Sequence, residues 1–203
     1  MSTKAAYHHG DLRAALLKAA AKEIELNGYE TLSLRELATS LDVSRAAPYR
    51  HFPDRRALLA TLATEGFEKL TAMYRTVAGS SKGADERLKD AGRAYLEFAT
   101  KRPQLFRLMF ASDLFGGSEP LDPTLRDAAL NCYQVFEGMV ADTLDRPDIH
   151  AVKAATIATM SSTYGFALLS LGDRLKPFMV GGLSQSQLVE AVLSMKISKL
   201  PGA

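Results

Sequence analysis

Apolar residues recur at helical spacing along almost the whole chain, in runs that capping residues, glycine and proline separate. Such runs predict helices, because a half-buried strand requires apolar residues at every second position. The predicted helices cover 12–27, 34–41, 45–52, 54–77, 85–102, 103–110, 123–144, 148–171 and 184–195. Asp11 is placed to cap the first helix, and Ser184 and Gln187 have the spacing of a capping box at the start of the last one. The pattern therefore predicts an all-α fold of nine helices, with a three-helix N-terminal domain and a larger helical domain.

The segment 32–56 carries the clearest local signals in the chain. Ser33 and Glu36 have the spacing of a capping box, in which the serine oxygen accepts from the Glu36 amide and the carboxylate reaches back. Residues 41–43 predict a tight turn, and Ser44 is placed to cap a second short helix. The segment is therefore predicted to be a helix-turn-helix.

Two prolines affect the second short helix, predicted over 45–52. Pro48 lies inside it, where proline removes one backbone hydrogen bond and bends or tightens the first turn. Pro53 ends it, and Asp54 is placed to cap the long helix that follows.

Charge is unevenly distributed, although the total is small. The formal net charge is +2, from 25 Lys and Arg against 23 Asp and Glu. Residues 1–56 hold 9 basic and 7 acidic side chains, which leaves 16 basic (25 less 9) and 16 acidic (23 less 7) in the rest. Within 44–56, four arginines are accompanied by Asp54 alone. Such a local positive charge suits a polyanionic partner, and the alternative is a solvated basic helix end.

The cysteine content and the absence of long apolar runs indicate in which cellular compartment the protein is found. A single cysteine, Cys132, excludes a disulfide within the chain and fits a reducing compartment. The N-terminus has no apolar core after Lys4, unlike a signal peptide, and no apolar run reaches the ~20 residues that span a bilayer. We expect a cytoplasmic protein without a membrane partner.

Signals for metal binding or catalysis are weak. The four histidines, at positions 8, 9, 51 and 150, form no pair with metal-ligand spacing and a carboxylate partner. The sequence contains neither a P-loop nor a G-x-S-x-G motif. We therefore predict no metal, no cofactor and no catalytic residue.

The run from Thr31 through VSRAAPYRHFPDRRALL resembles the DNA-binding domain of the TetR/AcrR family of one-component transcriptional regulators. The match covers about residues 9–60 and rests on the turn and on five positions that agree with the family pattern: Ser44, Tyr49, His51, Phe52 and Arg55. The nine-helix layout extends the resemblance over the whole chain.

A second resemblance concerns the C-terminal part. The segments KRPQLFRLMF and SSTYGFALLSLG resemble the WHG-type regulatory domain found in this family. Met160 and Tyr164 stand before Gly165 where that subgroup has Trp and His. The resemblance to this subgroup therefore implies no particular effector.

The resemblance implies that the second short helix enters the major groove of double-stranded DNA. Arg45 would bond bidentately to a guanine, and Ala46 would let the helix approach a thymine methyl. Phosphates would be bound by Ser44, Tyr49, His51 and Arg55, and Lys4 and the tail would reach the flanking backbone. The full set of implied DNA-binding residues is Arg35, Ser44, Arg45, Ala46, Ala47, Tyr49, Arg50, His51 and Arg55.

For four of these residues, a purely structural role is the alternative to DNA binding. In that case Tyr49 would belong to the core, and His51 would be an ordinary surface residue. Arg35 would pair with a nearby glutamate, and Arg50 would point into solvent.

The second half of the chain is rich in Phe, Tyr and Met. The resemblance implies that some of these side chains enclose an effector pocket in which Tyr and Thr hydroxyls orient a small molecule, and ordinary core packing is the alternative. The lack of a clear buried charge favours a neutral or weakly polar ligand. The candidates are Phe67, Leu70, Tyr74, Tyr95, Phe98, Phe106, Met109, Phe110, Tyr133, Phe136, Met139, Met160 and Tyr164.

A homodimer is expected, because one short helix reads few bases whereas a two-fold pair reads a palindrome in successive major grooves. The last helix is apolar around more than one face, which favours an intermolecular contact over docking within its own chain. The interface candidates are Thr159, Phe166, Leu188, Val189, Val192, Leu193 and Met195.

The favoured interpretation assigns residues 1–56 to DNA binding and 57–203 to effector binding and dimerisation. The protein would be a repressor that reads a palindromic operator as a homodimer and is released by a small-molecule effector. The alternatives are a helical small-molecule carrier or sensor without DNA binding, and an enzyme on a helical scaffold.

Overall fold

The computed structural model of the protein describes residues 12–117, 120–172 and 174–195. All regular structure in these ranges is helical. The predictions for Lys4, His8, His9 and the Asp11 cap lie outside the described residues. The α-helices are α1 Leu12–Asn27, α2 Leu34–Ser40, α3 Arg55–Ala78, α4 Ala84–Lys101, α5 Pro103–Ala111, α6 Pro123–Ala141, α7 Ile149–Ser170, α8 Pro177–Val180 and α9 Gln185–Leu193.

The all-α prediction is confirmed, and nine α-helices occur within the described ranges. They are not the nine that were predicted. The predicted helix over 45–52 is a turn followed by a short 3₁₀ helix, Pro48–Arg50, and α8 was not predicted. None of the described helices combines the length and the apolar character that crossing a membrane requires.

The chain divides into two compact units. Unit 1 comprises the described residues of Met1–Glu65 together with Gln104–Leu125, and unit 2 comprises those of Gly66–Pro103 and Arg126–Ala203. The helix α5, which the sequence placed in the effector domain, therefore belongs to unit 1. The sequence-based boundary after Arg56 falls inside the first segment of unit 1.

Unit 1 is built around the apolar face of α1, whose period matches the predicted spacing. Five side chains of this helix are buried: Leu12, Leu16, Leu17, Ala20 and Ile24. The helix ends where Gly28 adopts a φ of 83°, a conformation that favours glycine, and the Gly28 amide donates to the Ile24 carbonyl at 2.8 Å.

A side chain of α1 also caps α5. The Glu25 carboxylate accepts hydrogen bonds from the amides of Gln104 and Leu105, both at 3.2 Å. These amides lie in the first turn of α5, where no carbonyl of the helix itself is available to them. Glu25 therefore attaches α5 to the end of α1, and it does so across nearly eighty residues of sequence.

Unit 2 contains a layer in which α4 packs against α7 and α9, and α7 packs against α9. The inner face of α4 is strongly apolar and buries Ala91, Tyr95, Leu96, Phe98 and Ala99. In contrast, α9 has no buried residue, and its apolar side chains Leu188, Val189, Val192 and Leu193 are only partly covered. The capping box predicted at the start of α9 is present, since the Ser184 and Gln187 side chains each accept from the other's backbone amide.

Candidate nucleic-acid interface

The first helix of the helix-turn-helix, α2, begins and ends with well-defined caps. The Ser33 hydroxyl oxygen accepts from the Glu36 amide at 3.5 Å, which is one half of the predicted capping box; the return bond from the Ser33 amide to the Glu36 carboxylate is not found among the described residues. At the other end Asp42 has a φ of 54°, and the amides of Asp42 and Val43 donate to carbonyls of the last turn. This is a Schellman arrangement, here with aspartate in the left-handed position that glycine usually takes. It turns the chain towards residues 44–52.

The predicted second helix is tighter and shorter than expected because of Pro48. Proline has no N–H, so the α-helical ladder cannot pass through this position. The Ala47 amide donates to the Ser44 carbonyl at 2.9 Å, and the Arg50 amide donates to the Ala47 carbonyl at 3.2 Å. Both bonds span three residues, as in a 3₁₀ helix. The prediction of an α-helix over 45–52 was therefore wrong, and so was that of Ser44 as its cap, because the 3₁₀ helix begins after Ala47 without a side-chain cap. The expected tightening at Pro48 is confirmed.

The reading segment, residues 44–52, is anchored by its apolar residues. Pro48 is fully buried, and Phe52 is 2% exposed. The Arg13 guanidinium of α1 lies over the Phe52 ring, 5.3 Å from its centre, in a cation–π contact. Burial of these two side chains directs the residues between and before them outwards.

Most of the predicted DNA-binding residues are exposed together on unit 1. Tyr49 is 44% exposed, which excludes the alternative that it belongs to the core. Among the described residues no carboxylate forms an ion pair with Arg35, Arg45 or Arg50, so the proposed partner glutamate of Arg35 is not found there. The exposed candidates are Arg35, Ser44, Arg45, Ala46, Tyr49, Arg50 and His51, with Ala47 partly covered.

Arg55 is engaged within unit 1. Its Nε donates to the Leu32 carbonyl at 3.0 Å, and its Nη2 donates to the Tyr29 carbonyl. The side chain is half-buried and ties the start of α3 to the loop between α1 and α2. Its predicted phosphate contact remains a prediction, but sequence reasoning missed this internal role.

The start of α3 is held by two further side chains. Asp54 caps the helix as predicted, because its Oδ1 accepts from the Ala57 amide at 2.7 Å. The Arg56 Nη2 donates to the Leu114 carbonyl at 3.1 Å, in the loop after α5. Two of the four clustered arginines, 55 and 56, thus have structural partners, whereas Arg45 and Arg50 project from the surface.

The predicted pocket residues divide between the two units. Phe106, Met109 and Phe110 lie on α5 in unit 1, where the rings of Phe106 and Phe110 are 5.0 Å apart. Met160 and Tyr164 of α7 are partly covered. The remaining candidates, all in unit 2 and mostly buried, are Phe67, Leu70, Tyr74, Tyr95, Phe98, Tyr133, Phe136 and Met139.

A buried polar cluster occupies part of unit 2. Burial raises the pKa values of the Tyr74 and Tyr95 hydroxyls well above their usual range, and it raises the pKa of the Cys132 thiol to about 11. The rings of Tyr74 and Phe136 lie 5.5 Å apart. All three titratable groups are therefore uncharged near neutral pH.

A separate cavity of about 470 Å³ lies between α4, α6, α7 and α9 of unit 2. Of the predicted pocket candidates, Phe136 lines it. Four of the predicted interface residues also line it: Thr159, Val192, Leu193 and Met195. The sequence signal for this site is the small and hydroxylic character of α7, whereas the predicted pocket candidates are mostly aromatic.

The predicted interface residues are partly accessible. Phe166 is 8% exposed and belongs to the interior of its own chain, whereas Met195 is 64% exposed. Sequence reasoning missed several large apolar side chains exposed on α6, α7 and the segment around α8. They are Leu130, Ile149, Ile157, Leu169, Phe178, Met179 and Leu183.

The described ranges contain no group of three or more His, Cys, Asp or Glu that could hold a metal ion.

Two family models match the sequence. One, described as "Tetracyclin repressor-like, C-terminal domain", matches residues 88–195, and the other, "Bacterial regulatory proteins, tetR family", matches residues 16–62.

Solved structures are similar over nearly the whole chain. A protein of unknown function from Rhodococcus sp. RHA1 is 31% identical, covers 94% of this chain and 93% of its own, and superposes with a TM-score of 0.74. The TetR family transcriptional regulator PfmR from Thermus thermophilus is 19% identical over 88% of this chain and 94% of its own, with a TM-score of 0.63. The second likeness is one of fold.

Among curated proteins, the nucleoid occlusion factor SlmA of Shewanella baltica is 28% identical over 109 residues, which are 54% of this chain and 55% of SlmA. The chain therefore spans about half the length of the first curated relatives that it matches.

Proposed function

Because the chain belongs to the tetR family of bacterial regulatory proteins, we propose that it is a cytoplasmic, ligand-responsive repressor that binds a palindromic operator as a homodimer. In this proposal the chain is a transcriptional regulator and not an enzyme, which its family supports. Residues 1–56 read the DNA in this proposal, and residues 57–203 bind a small-molecule effector and form the dimer.

One observation carries the DNA-binding part of the proposal. Arg45, Ala46 and Tyr49 are exposed on a segment that two buried residues, Pro48 and Phe52, hold in place. Arg45 then reads a base edge, and the Tyr49 and His51 side chains contact phosphates. A rigid support of this kind fixes the register of the reading residues on the duplex.

Exposed apolar side chains support dimerisation. The apolar residues of α7 are not confined to one face, and Ile157 is 56% exposed in the single chain. A helix of this character is usually buried, and exposed apolar patches mark association sites. A second copy covering α7 and α9 removes this surface from water, and the dimer carries two reading segments.

The ligand response acts through a population shift. Helix α3 runs from residues that hold the reading segment, near Arg55, to Ala78 in unit 2. An effector that binds one conformation of unit 2 more tightly than another shifts the population towards the conformation that it binds more tightly. Release from the operator follows if the favoured arrangement is the one that does not fit the half-site spacing.

A mobility-shift titration on the DNA upstream of the protein's own gene tests the proposal. The wild-type protein should bind with an affinity that falls steeply with salt. Arg45→Ala should weaken binding and relax specificity at one base position, by about 1–3 kcal/mol. Lys101→Ala, on the exposed surface of α4 in unit 2, is the matched control and should change neither property.

Three results would contradict the proposal. One is binding that is indifferent to salt, and another is an Arg45→Ala variant equal to wild type. The third is a monomer at all concentrations by analytical ultracentrifugation. Ligand binding without DNA affinity would instead support the carrier interpretation.

A further inference from the structure

Arg13 is a cation at the border between α1 and the reading segment, and the proposed function gives it no role. It lies in the first turn of α1, and its side chain is exposed. Helix α1 packs against both α2 and the 3₁₀ helix, and the contact between Arg13 and Phe52 places the N-terminal end of α1 beside the reading segment. Arg13 therefore adjoins the proposed DNA-binding surface, although it is not among the predicted contacts.

The guanidinium of Arg13 is held over an aromatic ring. It lies 5.3 Å from the centre of the Phe52 ring, and Phe52 itself is 2% exposed. The contact uses the attraction of the cation to the ring face, so the N–H donors of the guanidinium remain available to other partners. Phe52 directly follows His51, whose side chain is exposed. The charge of Arg13 is thus held next to a proposed phosphate contact.

Covering Phe52 does not by itself require a charge at position 13. Arg13 precedes the buried residues Leu16 and Leu17 by three and four positions, so it shares the face of α1 that packs into the core. Methionine would cover the ring equally well and would fit the apolar character of this face. A cation is also disfavoured in the first turn of a helix, where the macrodipole is positive, and the first turn of α1 has no acidic residue to offset it. The charge therefore serves neither the core nor the helix.

The charge of Arg13 is not balanced by an anion in the part of the chain that the structure describes. Its contact there is with an uncharged ring, and no described carboxylate forms an ion pair with it. The same holds for Arg45 and Arg50 on the adjacent reading segment. Three uncompensated cations on neighbouring elements attract a polyanion with closely spaced charges, such as the phosphate backbone of DNA.

We propose that Arg13 is a further DNA contact of this protein, in which the guanidinium held over Phe52 binds a backbone phosphate at the edge of the reading segment. The bond is charge-assisted, from guanidinium N–H groups to phosphate oxygens. It extends the interface onto α1 and carries no base specificity, because phosphate contacts position the protein without reading sequence. The proposal rests on the DNA binding proposed above and adds one residue and one phosphate to each half-site.

Mobility-shift titrations of the full chain across a salt series test the proposal, on the DNA upstream of the protein's own gene and on unrelated duplex DNA of equal length. Arg13→Met keeps an unbranched apolar side chain over Phe52 and removes the charge. It should flatten the log–log salt dependence by about 0.9 for each half-site. It should also weaken binding several-fold on both DNAs alike, because a phosphate contact is not specific for sequence.

Lys22→Met is the matched control, since it removes one positive charge from an exposed position of the same helix. The two residues are nine positions apart, about two and a half turns, which places Lys22 on the opposite face of α1. Lys22→Met should keep the wild-type salt slope, and so should Arg13→Lys, which retains the charge. Arg13→Gln, a second neutral variant, should flatten the slope as Arg13→Met does.

Urea unfolding of the same variants separates a phosphate contact from a purely structural role. If Arg13→Met unfolds at a lower urea concentration while its salt slope equals that of Lys22→Met, Arg13 only covers Phe52 and the proposal is overturned. Equal slopes at unchanged stability overturn it as well. In both cases salt-dependent binding by the wild type leaves the proposed regulator standing, whereas a wild type without DNA affinity overturns the regulator and the contact together.

Discussion

Replacing Arg55 by alanine tests whether the reading segment depends on a clamp inside unit 1. The guanidinium donates to two backbone carbonyls, those of Leu32 and Tyr29, in the loop between α1 and α2. Alanine removes both donors, so the Leu32 carbonyl loses this hydrogen bond and the Tyr29 carbonyl keeps the bond from the Leu32 amide at 3.3 Å. The segment that begins α3 then loses its link to the loop that precedes α2.

The magnitude follows from the two bonds. A hydrogen bond with a charged partner contributes about 1.5–3 kcal/mol, so two contribute about 3–6 kcal/mol when fully sheltered. Arg55 is only half-buried, and water replaces part of what is lost. We therefore expect Arg55→Ala to lower the free energy of unfolding by about 2–4 kcal/mol. Arg55→Lys, which can reach one carbonyl, should lose about half of this.

Urea unfolding followed by far-ultraviolet circular dichroism measures the effect, since the chain has no tryptophan to serve as a fluorescence probe. Arg50→Ala is the control, because Arg50 is exposed and should change stability by no more than about 0.5 kcal/mol. Hydrogen exchange of the α2 amides should accelerate in the Arg55 variant alone.

The clamp is refuted if Arg55→Ala and Arg50→Ala unfold at the same urea concentration. If Arg55→Ala keeps wild-type stability but flattens the log–log salt dependence of DNA binding by about one, Arg55 is a phosphate contact, as the sequence suggested.

Three further predictions concern single side chains. Glu25→Ala removes the acceptor for two amides of α5 and should lower the free energy of unfolding by about 0.5–2 kcal/mol in urea, whereas Glu68→Ala, at an exposed position of α3, should not; equal losses would contradict the cap. Burial raises the pKa of the Cys132 thiol from its ordinary value of 9.0 to about 11. The stability gained by burying the neutral thiol is therefore fully present below pH 9 and is lost as the pH rises towards 11. Wild type should therefore lose on the order of 2–3 kcal/mol more than Cys132→Ala over this interval, and parallel pH curves would contradict it. Gly92→Ala should destabilise the wild type by displacing Leu193, but should stabilise a Leu193→Ala background through about 1 kcal/mol of helix propensity; the same sign in both backgrounds would exclude the close contact.

The sequence alone determined the features that depend on a few neighbouring residues. The caps at Ser33, Asp54 and Ser184 were predicted from side chains that bond to amides three residues ahead, and all three are present. Helix type and approximate length were also predictable, because they follow from apolar spacing and from Gly and Pro. The clearest local failure was the segment 45–52. Ser44 has the character of a helix cap, but Pro48 lacks the N–H that an α-helix needs at that position.

The tertiary structure decided everything that joins distant parts of the chain. No local pattern indicates that Glu25 caps α5, that Arg55 binds the Leu32 carbonyl, or that α5 belongs to unit 1. The cavity of unit 2 likewise depends on α9 seating Leu193 against Gly92, about a hundred residues earlier. Hydrophobic burial is non-directional, so a sequence shows which faces must be covered but not which partner covers them, and that choice depends on shape and on the donors and acceptors that meet in the fold.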